Sequence, residues 1–212
     1  MKTKKFTTSQ LTILGLMAGI LFLMAYTPLG YLNIGPLAVT FNVIPVAVCA
    51  IVLGPTGGAI AGAVFGLTSF MQAIGIGGVS ALGSALFQIN PFMTAVQCFG
   101  PRILDGICIG FIYRAVHKKA NTYVSCAVTG FFSAFLNTLF FMTALIVMFG
   151  NTELIRNLMG GHNIIVGCCF MVGVNAISEM VSSTIITAAV GTALSKAHLI
   201  PAVQIVKTDT AA

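Results

Sequence analysis

The chain is poor in charge. Only 7% of its 212 residues are Asp, Glu, Lys or Arg, and it contains no tryptophan. A soluble domain carries roughly 25% charged residues. Because so few charges cannot cover a surface that faces water, lipid must be the main solvent of this chain. The basic residues outnumber the acidic ones, but basic side chains at helix ends are what membrane insertion requires, so they do not indicate nucleic acid as a partner.

Catalytic and nucleotide-binding motifs are also missing. The sequence has no Gly-x-x-x-x-Gly-Lys-Ser/Thr phosphate loop, so the chain does not hydrolyse ATP by that route. It has no His-Glu-x-x-His or Gly-x-Ser-x-Gly motif either. The six cysteines lie mostly inside apolar runs without paired spacing, which favours packing over metal or disulfide chemistry. We therefore expect no enzyme, no metal site and no cofactor.

Long apolar runs make up most of the chain. Hydrophobic residues account for 58% of it, and the runs show little alternation, which favours helices over a barrel. A spanning helix needs about 20 mostly apolar residues. The sequence predicts an all-α, polytopic membrane protein with one domain at 1–195 and a polar tail at 196–212. The predicted spans are 9–26, 41–53, 59–74, 97–116, 123–149 and 164–194, with a tight turn at 54–58.

The basic residues predict the orientation. Six spans bring the N-terminus, the turn between the fourth and fifth spans, and the C-terminus to one side of the membrane. Eight of the ten basic residues then share that side: Lys2, Lys4, Lys5, Arg114, Lys118, Lys119, Lys196 and Lys207. The positive-inside rule makes this side the cytoplasm, and a missed or extra span would split the group. We expect both termini in the cytoplasm and the segments 27–37, 75–96 and 150–163 on the outer face.

Ionisable residues within the predicted spans are costly in lipid and suggest function. Arg102 and Asp105 lie three positions apart on the fourth helix and share a face. Arg102 could hold a ligand carboxylate while Asp105 orients it or takes a ligand hydroxyl, or the two could only neutralise each other. Glu179, with Asn175 one turn earlier on the sixth helix, forms either a ligand contact or a buried interhelical network.

Uncharged polar residues extend the candidate site. Asn137 lies alone in the apolar fifth helix, where it could contact a ligand or bond to a neighbouring helix. Other polar residues lie at or near the outer face, and each alone is more typical of a turn or cap. These residues are Asn33, Asn42, Gln72, Gln88 and Asn90, of which Asn33, Gln72 and Asn90 are included as candidate substrate-binding residues.

The first helix carries a smooth patch of small residues, Gly15, Ala18 and Gly19. Small residues at this spacing let another helix approach closely. The patch could serve packing inside the fold or the docking of a partner.

Three sequence features occur in a characteristic order. The first is a long apolar outer loop followed by a short second span that ends in Leu53-Gly54-Pro55-Thr56-Gly57-Gly58-Ala59. The second is the block from Gly100-Pro101-Arg102-Ile103-Leu104-Asp105-Gly106 to Ile112-Tyr113-Arg114. The third is the pairing of Leu136-Asn137-Thr138 with Asn175-Ala176-Ile177-Ser178-Glu179. In this order, over about residues 9–195, the chain resembles a substrate-binding S component of an energy-coupling-factor vitamin transporter.

The resemblance implies an S-component fold in a bacterial plasma membrane. It implies an outward-facing vitamin site in the outer halves of helices four to six, capped by the first outer loop. It also implies a partner module with a transmembrane coupling subunit and two ATPases, and an S component that topples to release its substrate. Family members dock through small residues on the first helix, usually Ala-x-x-x-Ala; the matching surface here would be Gly15, Ala18 and Gly19.

Within that family the chain is most similar to pantothenate-type members. A small acid with one carboxylate, hydroxyls and an amide suits one Arg with several Asn and Gln residues. S components for another small vitamin, of the folate or pyridoxine type, are the alternatives. A self-sufficient proton-coupled secondary carrier, with Asp105 or Glu179 as the titrating carboxylate, is an alternative from a different class.

Overall fold

Long helices dominate the computed structural model, which describes residues 7–27, 31–33, 38–77, 80–158 and 164–199. Five helices of this part are long and apolar enough to cross a membrane. The helical fold class is therefore confirmed. The elements in chain order are α1 (Thr8–Ala25), β1 (Tyr31–Asn33), β2 (Ala38–Thr40), α2 (Val43–Ala73), α3 (Ala81–Ile89), α4 (Pro91–His117), α5 (Thr122–Phe149), α6 (Glu153–Leu158) and α7 (Ile164–Lys196).

The long helix α2 reverses direction at Gly54. This residue has φ 74° and ψ −163°, a non-helical conformation that favours glycine, and Pro55 follows it. A Cβ atom built on Gly58 would lie 3.0 Å from the Cβ of Ala50. Eight residues of continuous helix would instead rise about 12 Å. The two arms of α2, 43–53 and 55–73, therefore lie side by side.

The second arm of α2 packs against α4 with the two backbones in direct contact. Gly58, Gly62 and Gly66 form one face of this arm at a spacing of four residues. A Cβ atom on Gly58 would overlap the carbonyl oxygen of Gly106, and one on Gly62 would overlap that of Arg102. Small residues permit this approach between membrane helices. The glycine face thereby sets where Arg102 stands relative to α2.

The apolar core surrounds the first arm of α2, in which every residue from Val43 to Leu53 is buried. Leu21 of α1, Ile109 of α4 and Ala134 of α5 close around it. A separate apolar cluster joins α3 and α6 to the last turns of α5. The core thus places the beginning of α2 between α4 and α5.

The segment 75–96, predicted as an outer loop, contains α3 and the first turns of α4. That helix begins at Pro91, six residues before the predicted start of the fourth span. The side-chain oxygen of Asn90 accepts two backbone N–H hydrogen bonds of 3.1 Å each, so this residue caps the helix. An N-cap Asn followed by Pro is a helix-start signal, which the surrounding glycines obscured. Ser80 caps α3 in the same way.

A small antiparallel ribbon, which the sequence did not predict, accompanies the helices. Strands β1 and β2 pair with Tyr31 opposite Thr40 and Asn33 opposite Ala38. Three residues per strand are too few to show the alternating pattern by which a strand is recognised in a sequence. The remainder of the predicted loop 27–37 lies largely outside the described residues.

Other predictions also fall partly beyond the described chain. The helix α6 begins at Glu153 within the predicted loop 150–163, whose last residues are not described. Of the eight basic residues that predict the orientation, Lys2, Lys4, Lys5 and Lys207 lie outside the described ranges, as does the tail from residue 200 onward.

Candidate functional site

Arg102 of α4 is held between two phenylalanine rings. Its guanidinium carbon is 4.8 Å from the ring centroid of Phe65 and 5.3 Å from that of Phe141. Its Nη1 donates to the backbone carbonyl oxygens of Gln97 and Cys98, both at 3.2 Å. Its Nε is buried and has no hydrogen-bond partner among the described residues. The guanidinium is thus positioned by its own helix and two rings, and its buried Nε–H is left unpaired within the described residues.

Asp105, almost one turn further along α4, is only 2% exposed. The hydroxyl of Ser133 on α5 is within hydrogen-bonding reach of this carboxyl group and lies 3.3 Å from the carbonyl oxygen of Val43. In the part of the chain that the structure describes, the Oδ1 atom of Asp105 has no hydrogen-bond partner. Arg102 is near enough to interact electrostatically with Asp105 and with Glu179. A buried acceptor and a half-buried cation therefore lie together on α4.

Two contacts between α4 and α5 show that Asn137 lies at the same height along the helices as Arg102. One contact joins the Nε2 of Gln97 on α4 to the carbonyl oxygen of Phe141 on α5 at 2.9 Å. A second contact joins Asp105 to Ser133, and each of these residues lies eight positions from the first contact on its own helix. Asn137 lies midway between those two contacts on α5, level with the arginine. It is 7% exposed, and its Oδ1 has no partner among the described residues.

Two residues of α7 complete the cluster. The hydroxyl of Ser183 donates to the carbonyl oxygen of Gly130 at 2.8 Å, which aligns α7 with α5. Glu179 on α7 and Ala134 on α5 each lie one turn from the contact between Ser183 and Gly130, so these two residues are at the same height. Asn175 lies one turn further, and both residues are 5% exposed. The structure thus brings five predicted site residues into about two helical turns: Arg102, Asp105, Asn137, Asn175 and Glu179.

The ribbon reaches this cluster through Glu179. The Oε1 of this residue accepts a hydrogen bond of 2.6 Å from the backbone N–H of Thr40, at the end of β2. The hydroxyl oxygen of Thr40 in turn accepts a bond of 3.3 Å from the backbone N–H of Asn42. The segment that leads into α2 therefore lies against the site.

Three further predicted residues have other positions. Gln72 donates from Nε2 to the carbonyl oxygen of Ala25 at 2.6 Å and so joins the end of α1 to α2. Asn90 caps α4. Asn33 lies on β1, and its side chain is outside the described part of the structure. Their role as ligand contacts stays a prediction. Gln72 and Asn90 make hydrogen bonds that stabilise the fold itself.

Sequence reasoning missed several residues of the cluster. Phe65 and Phe141 look like ordinary apolar residues in the sequence, and only their position around Arg102 distinguishes them. Ser133 carries no motif. Asn42 was assigned to a turn or cap; it does precede α2, but its side chain makes no capping hydrogen bond.

The small-residue patch on α1 faces away from the fold. Gly15 and Gly19 are exposed, and a Cβ atom built on either would meet no other atom within 4 Å. Ala18 beside them is half-buried. The buried residues of α1 are Leu21 and Ala25. The two glycines are therefore free of contacts with the rest of the described chain.

The cluster can bind a small polar molecule. It combines one cation with buried hydrogen-bond acceptors from three helices. Among the residues that the structure describes, no group of three or more His, Cys, Asp or Glu side chains comes together as a metal site requires. The chemistry within reach of these residues is hydrogen bonding and charge pairing.

Comparison with known proteins decides the family. The family model described as "ECF transporter, substrate-specific component" matches residues 9–191 of the chain. The chain belongs to this family. The resemblance drawn from the sequence motifs is thereby confirmed. Membership implies a vitamin substrate and an ECF module as partner, and the several apolar helices fit a multi-pass membrane protein.

Two curated relatives are similar to this S component over most of its length. The "Pantothenate transporter PanT" of Leuconostoc mesenteroides subsp. mesenteroides is 33% identical over 178 residues, which cover 81% of each chain. The "Pantothenic acid transporter PanT" of Lactococcus lactis subsp. cremoris is 28% identical over 208 residues, which cover 92% of this chain and 98% of the relative.

Proposed function

We propose that this S component binds pantothenate between α4, α5 and α7 and delivers it to an ECF module for import. The observation that carries the proposal is a set of buried polar atoms without partners among the described residues: the Nε of Arg102 and the Oδ1 atoms of Asp105 and Asn137. Two relatives that match most of the chain carry pantothenate in their names.

The unpaired atoms match the polar groups of pantothenate in kind. Pantothenate has a carboxylate, two hydroxyls and one secondary amide. Arg102 offers a charged donor for the carboxylate, since the guanidinium pairs with carboxylates in a planar geometry. Asp105 and Asn137 offer acceptors for ligand hydroxyl or amide hydrogens. Leaving buried polar atoms unpaired costs free energy, so a ligand that pairs with them gains affinity.

The rings around Arg102 weigh against a flat aromatic vitamin. Phe65 and Phe141 both contact the guanidinium, so their ring faces are already occupied by the arginine. Cation–π contact holds the arginine in place and leaves its hydrogen-bonding edge for an anion. A folate-type ligand would need these faces for stacking.

The experiment that tests the proposal is a titration of the purified protein with candidate vitamins. Pantothenate should raise the unfolding temperature progressively with its concentration, because a ligand that binds only the native state stabilises that state. Folate and pyridoxine should produce no such rise at equal concentration. A strong response to either of these, with none to pantothenate, would reject the proposed substrate.

A six-span topology with both termini in the cytoplasm is part of the proposal. In it, the two arms of α2, which lie side by side, are counted as separate spans beside α1, α4, α5 and α7. The described basic residues support one cytoplasmic side, since Arg114, Lys118 and Lys119 lie at the end of α4 and Lys196 at that of α7. A fluorescent reporter fused to the C-terminus should mature inside the cell, and a periplasmic or outer-surface location of this end would contradict the topology.

The exposed patch on α1 is the proposed docking surface for the ECF module. The module would contain a transmembrane coupling subunit and two ATPases, and the S component would topple in the membrane to release its substrate. None of the described residues packs on Gly15 or Gly19, so a bulky side chain there leaves the described fold intact while it blocks close approach of another helix.

The double variant Gly15→Leu/Gly19→Leu is expected to abolish both co-purification with the module and ATP-dependent uptake. Pantothenate affinity should stay within about twofold of wild type, because the site lies on α4, α5 and α7; surface substitutions away from special features change stability by about 0.5 kcal/mol or less. Ser9→Leu, an exposed substitution on the same helix that lies about 80° or more around the axis from both glycines, is the control and should permit docking. Retained co-purification of the double variant would place the docking surface elsewhere. Uptake by this chain alone, driven by a proton gradient, would favour a secondary carrier.

A further inference from the structure

Asn42 is a fully buried amide that bonds to nothing in the described chain. Its exposed fraction is 0%, and both its Oδ1 and its Nδ2 lack hydrogen-bond partners there. Burying an unpaired amide is costly, and each such group in a native protein calls for a reason. Capping of α2 does not supply the reason, since the side chain makes no capping bond and the residue has helical φ and ψ of −64° and −16°.

The neighbours of Asn42 tie it to both acidic residues of the candidate site. On one side, its backbone N–H bonds to Thr40, whose own N–H donates to Glu179. On the other side, the carbonyl oxygen of Val43 lies 3.3 Å from the hydroxyl of Ser133, which is also within hydrogen-bonding reach of Asp105. In the sequence, Asn42 therefore lies between Thr40, which bonds to Glu179, and Val43, which is linked through Ser133 to Asp105.

A primary amide carries a donor and an acceptor side by side. It can pair simultaneously with a ligand that presents an acceptor and a donor on adjacent carbons. Pantothenate has one such edge, because a hydroxyl lies on the carbon next to its amide carbonyl. A carboxylate side chain could accept from the hydroxyl but could not donate to the carbonyl. The free donor and free acceptor of Asn42 match this edge, and Arg102 remains for the carboxylate at the other end of the molecule.

We infer that Asn42 determines substrate specificity by hydrogen bonding to the α-hydroxy-carbonyl group of the ligand. Its Nδ2 donates to the carbonyl oxygen of the ligand, and its Oδ1 accepts from the ligand hydroxyl. The inference rests on pantothenate being the substrate. It predicts strong discrimination, because a site built to bond a substrate hydroxyl is left with an unpaired buried atom when the hydroxyl is missing.

The test measures affinities of two proteins for two ligands. Wild type and Asn42→Leu are titrated with pantothenate and with its analogue in which the hydroxyl beside the amide carbonyl is replaced by hydrogen. Wild type should prefer pantothenate by at least about 100-fold, and Asn42→Leu should reduce this preference below about fivefold, since the discriminating groups are gone. Without ligand, Asn42→Leu should unfold at a higher temperature, because an apolar side chain of similar size replaces unpaired polar atoms.

Two further variants separate specificity from folding. Asn42→Asp keeps the shape and an acceptor but loses the donor, so it should bind pantothenate at least about tenfold more weakly than wild type. Asn121→Leu removes an amide that caps α5 at the opposite end of the helix, where its Oδ1 accepts from the N–H of Val124 at 2.9 Å. This control should lower the unfolding temperature and keep the preference between the two ligands.

The outcomes distinguish the inference from the proposed function. If wild type binds pantothenate and Asn42→Leu keeps the full preference over the analogue, the role of Asn42 is rejected and the substrate stands. Equal losses for both ligands in Asn42→Leu would also reject it, since they would indicate a general disturbance. If wild type binds no pantothenate, the proposed substrate fails and this inference fails with it.

Discussion

Replacing Arg102 by alanine is expected to weaken pantothenate binding by more than about 2 kcal/mol, or roughly 30-fold. The guanidinium is the cation of the cluster, and its Nε is buried without a partner in the described chain. Removing it leaves the ligand carboxylate in a buried place with no charge to pair with, which costs far more than the loss of a surface contact. Calorimetric titration of the purified protein measures the change.

Two controls refine this expectation. Arg102→Lys keeps the charge but has a single nitrogen, so it cannot bond to the two backbone carbonyls and present a separate planar pair of N–H donors to the ligand carboxylate. It should therefore restore only part of the affinity. Arg156→Ala removes an exposed arginine of α6 and should bind as wild type does. Wild-type affinity in Arg102→Ala would show that the carboxylate is held elsewhere.

A single added methyl group at Gly106 is expected to destabilise the protein by about 1–3 kcal/mol. A Cβ atom here would overlap the backbone carbonyl of Gly58, and a backbone group cannot move aside as a flexible side chain can. The helix α4 would have to shift away from α2, and it carries Arg102 and Asp105 with it. We therefore expect Gly106→Ala to lower both the unfolding temperature in detergent and the affinity for pantothenate.

Gly100 on the same helix provides a matched control. A Cβ atom at Gly100 would come no closer than 4.0 Å to its nearest neighbour, a methyl group of Val96. Gly100→Ala should therefore leave the packing of α4 unchanged and keep or slightly raise the stability of the protein, since alanine favours a helix over glycine by up to about 1 kcal/mol. Equal unfolding temperatures for the two variants would contradict the role of the glycine face.

The sequence predicted the helices well because apolar runs and their breaks are local features. α1 was predicted within one residue at each end, and the reversal at Gly54 follows from a Gly-Pro pair that stops any helix. The elements that were missed are short or masked by neighbouring glycines. The ribbon of β1 and β2 has three residues per strand, and α3 lies in a segment whose glycines suggested a loop.

The candidate site was predictable for a different reason. A charge or an amide in lipid is conspicuous in any sequence, so Arg102, Asp105, Asn137 and Glu179 could be selected without knowledge of their neighbours. The structure brings them together on three helices, and their role in binding stays a prediction. Asn42 could not be selected in this way, because an Asn before a helix has the same appearance whether or not it caps that helix.

By itself, the sequence determined that the chain lies in lipid, that it is helical, and which polar residues are too costly to be there without a purpose. These conclusions follow from composition and from patterns within about 20 residues, the length that crosses a membrane. Only the tertiary structure decided which polar atoms are satisfied. The side chain of Gln72 donates a hydrogen bond to a backbone carbonyl at the end of α1. In contrast, Asn42, Asp105 and Asn137 have buried polar atoms without hydrogen-bond partners in the described chain. The reason is physical: hydrogen-bond partners come from segments distant in sequence, and packing decides which of them meet.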